Sequence, residues 1–357
     1  MRVAGSIGLG AALAVAAAAF GSPSLYVPGF ALVLLGSAAA VWVPLAARGA
    51  GLERIIGPRT VEEEREWPID IRAAAGVLPA PGGDLREPLL RGGLSMAGRQ
   101  QRRIRVNVTF ARRGRRELAP ARLAIRDPLG LVERVLEAGA NQHVVVLPRI
   151  EPVIAGGGGS GGSPETAIGS RPAEVAAEVE MESLRPYREG SPASRIHWPT
   201  VARTGTLMER RLLADSDSRP LVVLDPTRPS SGAALDKAVR AAASLALHLA
   251  RAGGCALLLP GDRRATDIDA DLGGWHVLHA RLALVEAGTR PPALRLDSRR
   301  GALFWVSANA RGQLPRDTGR SHAARYLVTP AEPGAGSSFR VAGCSGIALG
   351  RGGRRAA

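Results

Sequence analysis

The sequence predicts a membrane-anchored multidomain protein: an N-terminal two-helix transmembrane hairpin, a small β-sandwich, then an open α/β sheet. Three observations predict it. Two uncharged apolar runs lie within the first 50 residues. Short alternating segments broken by turn residues follow, up to about residue 150. Beyond a Gly/Ser run, continuous apolar strands alternate with a helical pattern.

The hairpin occupies residues 1–50, with helices over about 3–21 and 25–47. Val3 to Phe20 and Leu25 to Ala47 carry no charge. Each approaches the roughly 20 residues that cross a hydrocarbon core. Gly21-Ser22-Pro23-Ser24 is too short a link for anything but an antiparallel pair. Pro28 and Pro44 fall near the ends of the second helix, where proline costs least. Arg2 precedes the pair, and Arg48 and Arg54 follow it, while the turn is uncharged. The positive-inside rule therefore places both termini in the cytoplasm, on a cell (inner or plasma) membrane. The alternative is a cleaved signal peptide with Arg2 as its charged end, which would put the body on the other side.

Residues 55–150 read as β. Arg103 to Phe110 alternates with period two, as a half-buried strand does. Arg122–Arg126, His143–Leu147 and Trp67–Arg72 are further strands, stopped by Asp127-Pro128 and Pro148 or separated by turns such as Pro81-Gly82-Gly83-Asp84. Short strands with frequent turns predict a sandwich. No catalytic constellation is visible there, so a spacer or contact role is expected. Residues 154–165 form a Gly/Ser linker.

Composition narrows the function classes. Of 357 residues, 45% are hydrophobic but only 4% aromatic, so the cores must be built from Ala, Val and Leu. The formal net charge is +15, nearly all from arginine, since Lys237 is the sole lysine. The arginine clusters at Arg102–Arg105, Arg112–Arg116 and Arg351–Arg355 lack interleaved aromatics. Base stacking needs aromatics, which argues against nucleic acid as a partner. Anionic membrane lipid is the simpler partner for the charge. Cys255 and Cys344 have no metal-type spacing and read as buried thiols. The chain has no Gly-x-Ser-x-Gly elbow and no phosphate-binding Gly-Lys loop, so enzymatic activity is not expected. His276 and His279 are read as one helix face.

Residues 180–357 hold the last domain. Leu221–Leu224, Cys255–Leu259, Ala302–Val306 and Tyr326–Val328 are continuous apolar runs of the buried parallel kind. Helical patterns cover Ala233–Arg251 and Trp275–Glu286. Ahead of them, Leu184–Leu213 contains Arg185, Tyr187, Gly190, Arg195-Ile196-His197-Trp198, Ala202-Arg203, Gly205 and Leu207. That pattern resembles the bacterial "domain of unknown function 58" family, with Ser191 where the family carries Asp. Asp127–Leu131 and Val146–Arg149 resemble the segments that precede it.

His197 admits two readings. It is a base or ligand near neutrality, or it belongs to a structural knot. In the knot, Ile196 and Trp198 pack one face, and Arg185, Arg195 and Arg203 bond carbonyls or carboxylates such as Glu182 and Glu209. No nucleophile or metal partner lies beside it in sequence, which favours the knot.

The resemblance implies a von Willebrand factor A-like sheet with an Asp-x-Ser-x-Ser metal motif after its first strand. Here the aligned residues are Asp225, Pro226, Thr227, Arg228 and Pro229. Asp225 and Thr227 supply oxygens, Pro229 has none, and Ser307 and Asn309 stand at the later strand. The expectation is a degenerate site without a cofactor, with Mg²⁺ as the alternative. The resemblance also implies a non-enzymatic interaction or scaffold protein, partnered by a MoxR-type AAA+ ATPase in envelope or assembly processes. The alternatives are a metal-dependent ligand-binding module and an anionic lipid or polymer binder.

Overall fold

The computed structural model describes residues 2–90, 92–95, 97–98, 101–155, 181–187, 196–212, 219–288, 291–292, 301–315, 324–332 and 336–349. The chain divides into two compact units. One comprises residues 1–111 and 115–146, the other residues 112–114 and 147–357.

The first unit begins with two apolar helices, α1 (Arg2–Phe20) and α2 (Tyr26–Ala47), joined by a 3₁₀ turn at Pro23–Leu25. Both are long and apolar enough to cross a membrane. Their contacts run in opposite senses along the two helices: Ser6 meets Leu32 and Gly36, while Gly10 meets Gly29 and Val33. A Cβ on Gly10 would stand 2.6 Å from the Gly29 carbonyl oxygen, so glycine sets how closely the backbones approach. Outward-facing Val15, Phe20, Val27, Phe30 and Leu34 remain exposed.

The last turn of α2 does not share that exposure. Val43 and Ala46 are fully buried in the same cluster as Trp67, Ile69 and Ile71. No linker separates helix from sheet, because β1 (Gly51–Ile56) starts four residues after Ala47. Gly76 lies against this junction, where any Cβ would overlap the Ala46 carbonyl oxygen.

The remaining strands of this unit are β2 (Thr60–Glu62), β3 (Trp67–Ala74), β4 (Gly83–Arg86), β5 (Gly93–Ser95), β6 (Arg102–Val108), β7 (Gly114–Leu118), β8 (Ala121–Arg126), β9 (Glu133–Ala138) and β10 (Gln142–Leu147). They form three small sheets, ordered β1-β3-β6, β2-β10-β7 and β5-β4-β8-β9, around one apolar core. Strand β3 shows why: Trp67, Ile69, Ile71 and Ala73 point inward while Pro68 and Arg72 face water.

A buried ion pair sits within that core. Arg54 Nη2 donates to Glu87 Oε1 at 2.6 Å with both side chains fully buried, and Arg54 Nη1 donates to the Ala119 carbonyl at 2.8 Å. Burial pushes the Glu87 carboxyl up and pulls the Arg54 guanidinium down, against their mutual attraction.

The second unit centres on a mixed eight-stranded sheet. Its strands are β11 (Ile154–Ala155), β14 (Leu221–Asp225), β15 (Cys255–Leu258), β16 (Thr266–Ile268), β17 (Leu303–Ser307), β18 (Arg325–Thr329), β19 (Phe339–Val341) and β20 (Cys344–Leu349). Strands β12 (Met181–Pro186) and β13 (Met208–Leu212) form a separate two-stranded ribbon. The sheet order is β11-β19-β20-β18-β17-β14-β15-β16. Strands β15, β14, β17 and β18 are parallel, and the flanking pairs are antiparallel. A seven-residue helix, α3 (Trp198–Thr204), belongs to the ribbon.

Helix α4 (Gly232–Arg251) covers one face of the sheet. Its Ala238, Ala241, Ala242 and Ala246 are fully buried and let it lie close to β14 and β17. On the same face, α5 (Trp275–Ala283) buries His279, whose Nε2 lies 2.8 Å from the Pro148 carbonyl oxygen.

Both cysteines are free thiols buried in this core, and burial pushes each up to about 12. An acid whose pKa rises on folding stabilises the fold below its unfolded value. Here that contribution is present below pH 9.0 and is lost as pH climbs towards about 12. Neither thiol should react with iodoacetamide at pH 8 until the second unit unfolds, and mass spectrometry of pulse-alkylated protein reads this directly.

Candidate functional site

Two places gather the residues that the sequence singles out, both in the second unit. The first is an arm formed by the β12–β13 ribbon and α3. The ribbon is antiparallel, with Arg185 opposite Glu209 and Pro186 opposite Met208. It continues past the strands, for Tyr187 N donates to the Leu207 carbonyl at 2.9 Å and His197 N to the Met208 carbonyl at 2.8 Å.

Helix α3 starts where the sequence requires. His197 is its N-cap: Nδ1 accepts from Thr200 N at 3.3 Å and lies 2.7 Å from Thr200 Oγ1. A backbone N–H can only donate, so Nδ1 is the acceptor in that contact. Pro199 lies in the first turn, where its missing N–H costs nothing. Gly205 closes the helix at φ 67°, a left-handed conformation that favours glycine, with its N–H on the Val201 carbonyl at 2.8 Å. Arg203 stands in the last turn, favourable beside the negative end of the helix.

His197 is therefore engaged in holding a helix start. Ile196 is buried, as the knot reading expects. Trp198 is not: 61% of its surface is exposed, as is 47% of Leu207. Ala202 and Arg203 are exposed too. The arm thus presents a tryptophan, a leucine and an arginine to the surroundings. Gly190, Ser191 and Arg195 lie outside the described residues, as do the side chains of Glu182, Arg185 and Glu209.

The second place is the carboxyl end of the parallel strands. Strand β14 has β15 on one side and β17 on the other, so successive connections leave it in opposite directions. Crevices in open α/β sheets form at such switch points. Asp225 and Ser307 end these neighbouring strands directly opposite each other.

Asp225 Oδ1 and Ser307 Oγ are already engaged. Asp225 Oδ1 accepts from Thr227 Oγ1 at 2.7 Å and from Thr227 N at 3.0 Å. Ser307 Oγ accepts from Asn309 N at 3.2 Å, and Asn309 Oδ1 from Arg311 N at 2.9 Å. Ser230 Oγ accepts from Ala310 N at 2.9 Å, and Ser231 Oγ caps α4 through Ala234 N at 3.1 Å. Asp225 is the one carboxylate of this set, and Arg228 follows it in a left-handed conformation at φ 43°. Mg²⁺ demands near-ideal octahedral oxygen geometry and favours carboxylates. A donor set of one carboxylate and turn-forming hydroxyls does not fit that demand.

A further concavity of about 380 Å³ is lined by Glu151, Lys237, Glu332, Arg340 and Cys344 among others, and no sequence motif marks it. Its lining comes from within residues 151–154, from Lys237 on α4, and from residues 330–332 and 340–344.

Comparison with protein-family models and with curated proteins finds no match. The resemblance to the "domain of unknown function 58" family accordingly rests on the motif residues themselves.

Proposed function

We propose that this chain is a membrane-anchored, non-enzymatic docking protein. The two apolar helices form a transmembrane hairpin with both termini in the cytoplasm. The β unit is a spacer, and the arm of the von Willebrand factor A-like unit is the contact surface. A MoxR-type AAA+ ATPase is the partner that the motif resemblance favours. The observation carrying this reading is Trp198 on the arm: a large aromatic left in solvent next to the buried Ile196, with Leu207 of the same signature exposed as well. Tryptophan and arginine dominate the energetics of protein interfaces.

The test is a pull-down from detergent-solubilised membranes with the full chain and with Trp198→Ala. The native chain is expected to recover an AAA+ ATPase. The variant is expected to lose about 2 kcal/mol of binding, roughly thirtyfold in Kd. Recovery of no ATPase by the native chain contradicts the partner, and equal recovery by both contradicts the arm.

A second reading, a metal-dependent ligand-binding module through Asp225 and Thr227, draws on their place at the switch point of the sheet. The engaged oxygens weigh against it. An anionic lipid or polymer binder is the third reading, favoured by the charge alone.

A further inference from the structure

We propose that the loop Ala75–Pro79 of the first unit rests in the headgroup layer of the bilayer that holds α1 and α2, with Val77 as its apolar contact. The proposal builds on the membrane reading of those helices and adds a second point of attachment to it.

The argument starts from where α2 leaves lipid. Val43 and Ala46 are buried in the β core, so the lipid-facing part of the helix ends at Trp42. Tyr26 begins the helix, and sixteen residue steps separate it from Trp42. At 1.5 Å per residue that is roughly 24 Å. This approaches the roughly 27–30 Å of a hydrocarbon core. Tyrosine and tryptophan then sit at opposite boundaries, where such side chains concentrate.

The loop is tied to that boundary by specific bonds. Trp42 Nε1 donates to the Pro79 carbonyl at 3.0 Å. Val77 N donates to the Arg48 carbonyl at 3.0 Å, and a Cβ on Gly49 would be 3.6 Å from the Val77 side chain. Arg48 lies six residues, about 9 Å, beyond Trp42 along the helix direction. One polar layer is about 5–7 Å deep. The run of roughly 24 Å falls about 3–6 Å short of the hydrocarbon thickness, so a step of about 9 Å beyond Trp42 ends within that layer.

Within that layer the loop holds Val77 with 71% of its surface exposed, and Trp42 keeps 46% exposed beside it. The exposed Arg48 is placed for lipid phosphate, the same layer's anion. An apolar residue, an indole and a cation fixed at one end of a membrane-crossing helix suit a phospholipid surface. The consequence is an anchor that sets the orientation of the β unit and does not merely tether it.

Three single-cysteine labels on the full chain test this in phosphatidylcholine–phosphatidylglycerol vesicles. The native Cys255 and Cys344 are buried and stay unlabelled. Leu34→Cys reports mid-helix, and Val77→Cys reports the loop. Arg65→Cys reports an exposed turn beyond the far end of β3, roughly 23 Å of strand away. Each label carries a small environment-sensitive fluorophore, challenged with aqueous iodide or with nitroxide lipids. Leu34→Cys should be quenched by acyl-chain nitroxides. Val77→Cys should be quenched by headgroup nitroxides and lose most of the iodide quenching seen at Arg65→Cys. Lipid quenching at Leu34→Cys with iodide access at Val77→Cys equal to that at Arg65→Cys overturns this proposal alone. Equal lipid quenching at Val77→Cys and Arg65→Cys overturns it as well, because the contact is then not specific to the loop. Iodide access at Leu34→Cys overturns the membrane reading beneath it.

Discussion

Arg54→Ala is expected to destabilise the first unit by about 3–5 kcal/mol, the cost of leaving one partner of a buried ion pair uncompensated. Glu87 is fully buried and would keep its carboxyl without the 2.6 Å partner. The Ala119 carbonyl would lose its donor as well. Glu87→Ala should cost a similar amount by the reverse route. The double variant Arg54→Met with Glu87→Leu should recover most of the loss, because apolar replacements of similar volume relieve both desolvation penalties. Urea-dependent proteolysis of the full chain in detergent, followed by the survival of the β-unit fragment, measures all three. A loss below about 1 kcal/mol for Arg54→Ala would place the pair in the solvent-exposed class.

Phe339→Ala should cost the second unit a comparable amount, about 3–5 kcal/mol. Phe339 is fully buried, and its ring stands edge-on to Phe304 at 6.0 Å and to Tyr326 at 5.8 Å between centroids. Phe304 and Tyr326 stack at 4.9 Å. Directly across the β19–β20 pair lies Gly346, and a Cβ there would overlap the Phe339 ring. The ring thus lies over a glycine that supplies no side chain of its own, an arrangement that shields the strand backbone. Gly346→Ala should cost about 1–3 kcal/mol by overpacking. Combining it with Phe339→Leu should cost less than the sum of the two, since the sites touch. Chemical denaturation of the full chain, read by exposure of the Cys344 thiol, gives these values.

The long apolar patterns were legible in sequence, and the reasons are physical. Four buried parallel strands and α4 stand within a residue or two of the apolar runs that predict them, because a strand covered on both faces leaves no ambiguity of pattern. Strand β9 (Glu133–Ala138) was not legible: Glu-Arg-Val-Leu-Glu-Ala is helix-favouring, and pairing with β8 overrides it. Strand β1 is not legible in sequence because its inward residue is Arg54, whose burial depends on Glu87 thirty-three positions away.

The second helix shows a different limit. Its residues are apolar on every side, so periodicity cannot separate the exposed turns from the last turn, which packs in the β core. In the arm, a helix start was available in His197-Trp198-Pro199-Thr200: a capping side chain, an early proline and a donor three residues on. Exposure of Trp198 was not available, because a tryptophan beside a buried isoleucine reads as core.

The proposed docking function requires that the two apolar helices form a membrane hairpin with both ends in the cytoplasm. Reporter fusions inserted at Ser22 and appended at Ala357 test that most directly. Alkaline phosphatase should be active at Ser22 and inactive at Ala357, and a fluorescent protein at Ala357 should fluoresce. An active phosphatase at Ala357 would put the body outside, and the cytoplasmic ATPase partner would fall with the topology.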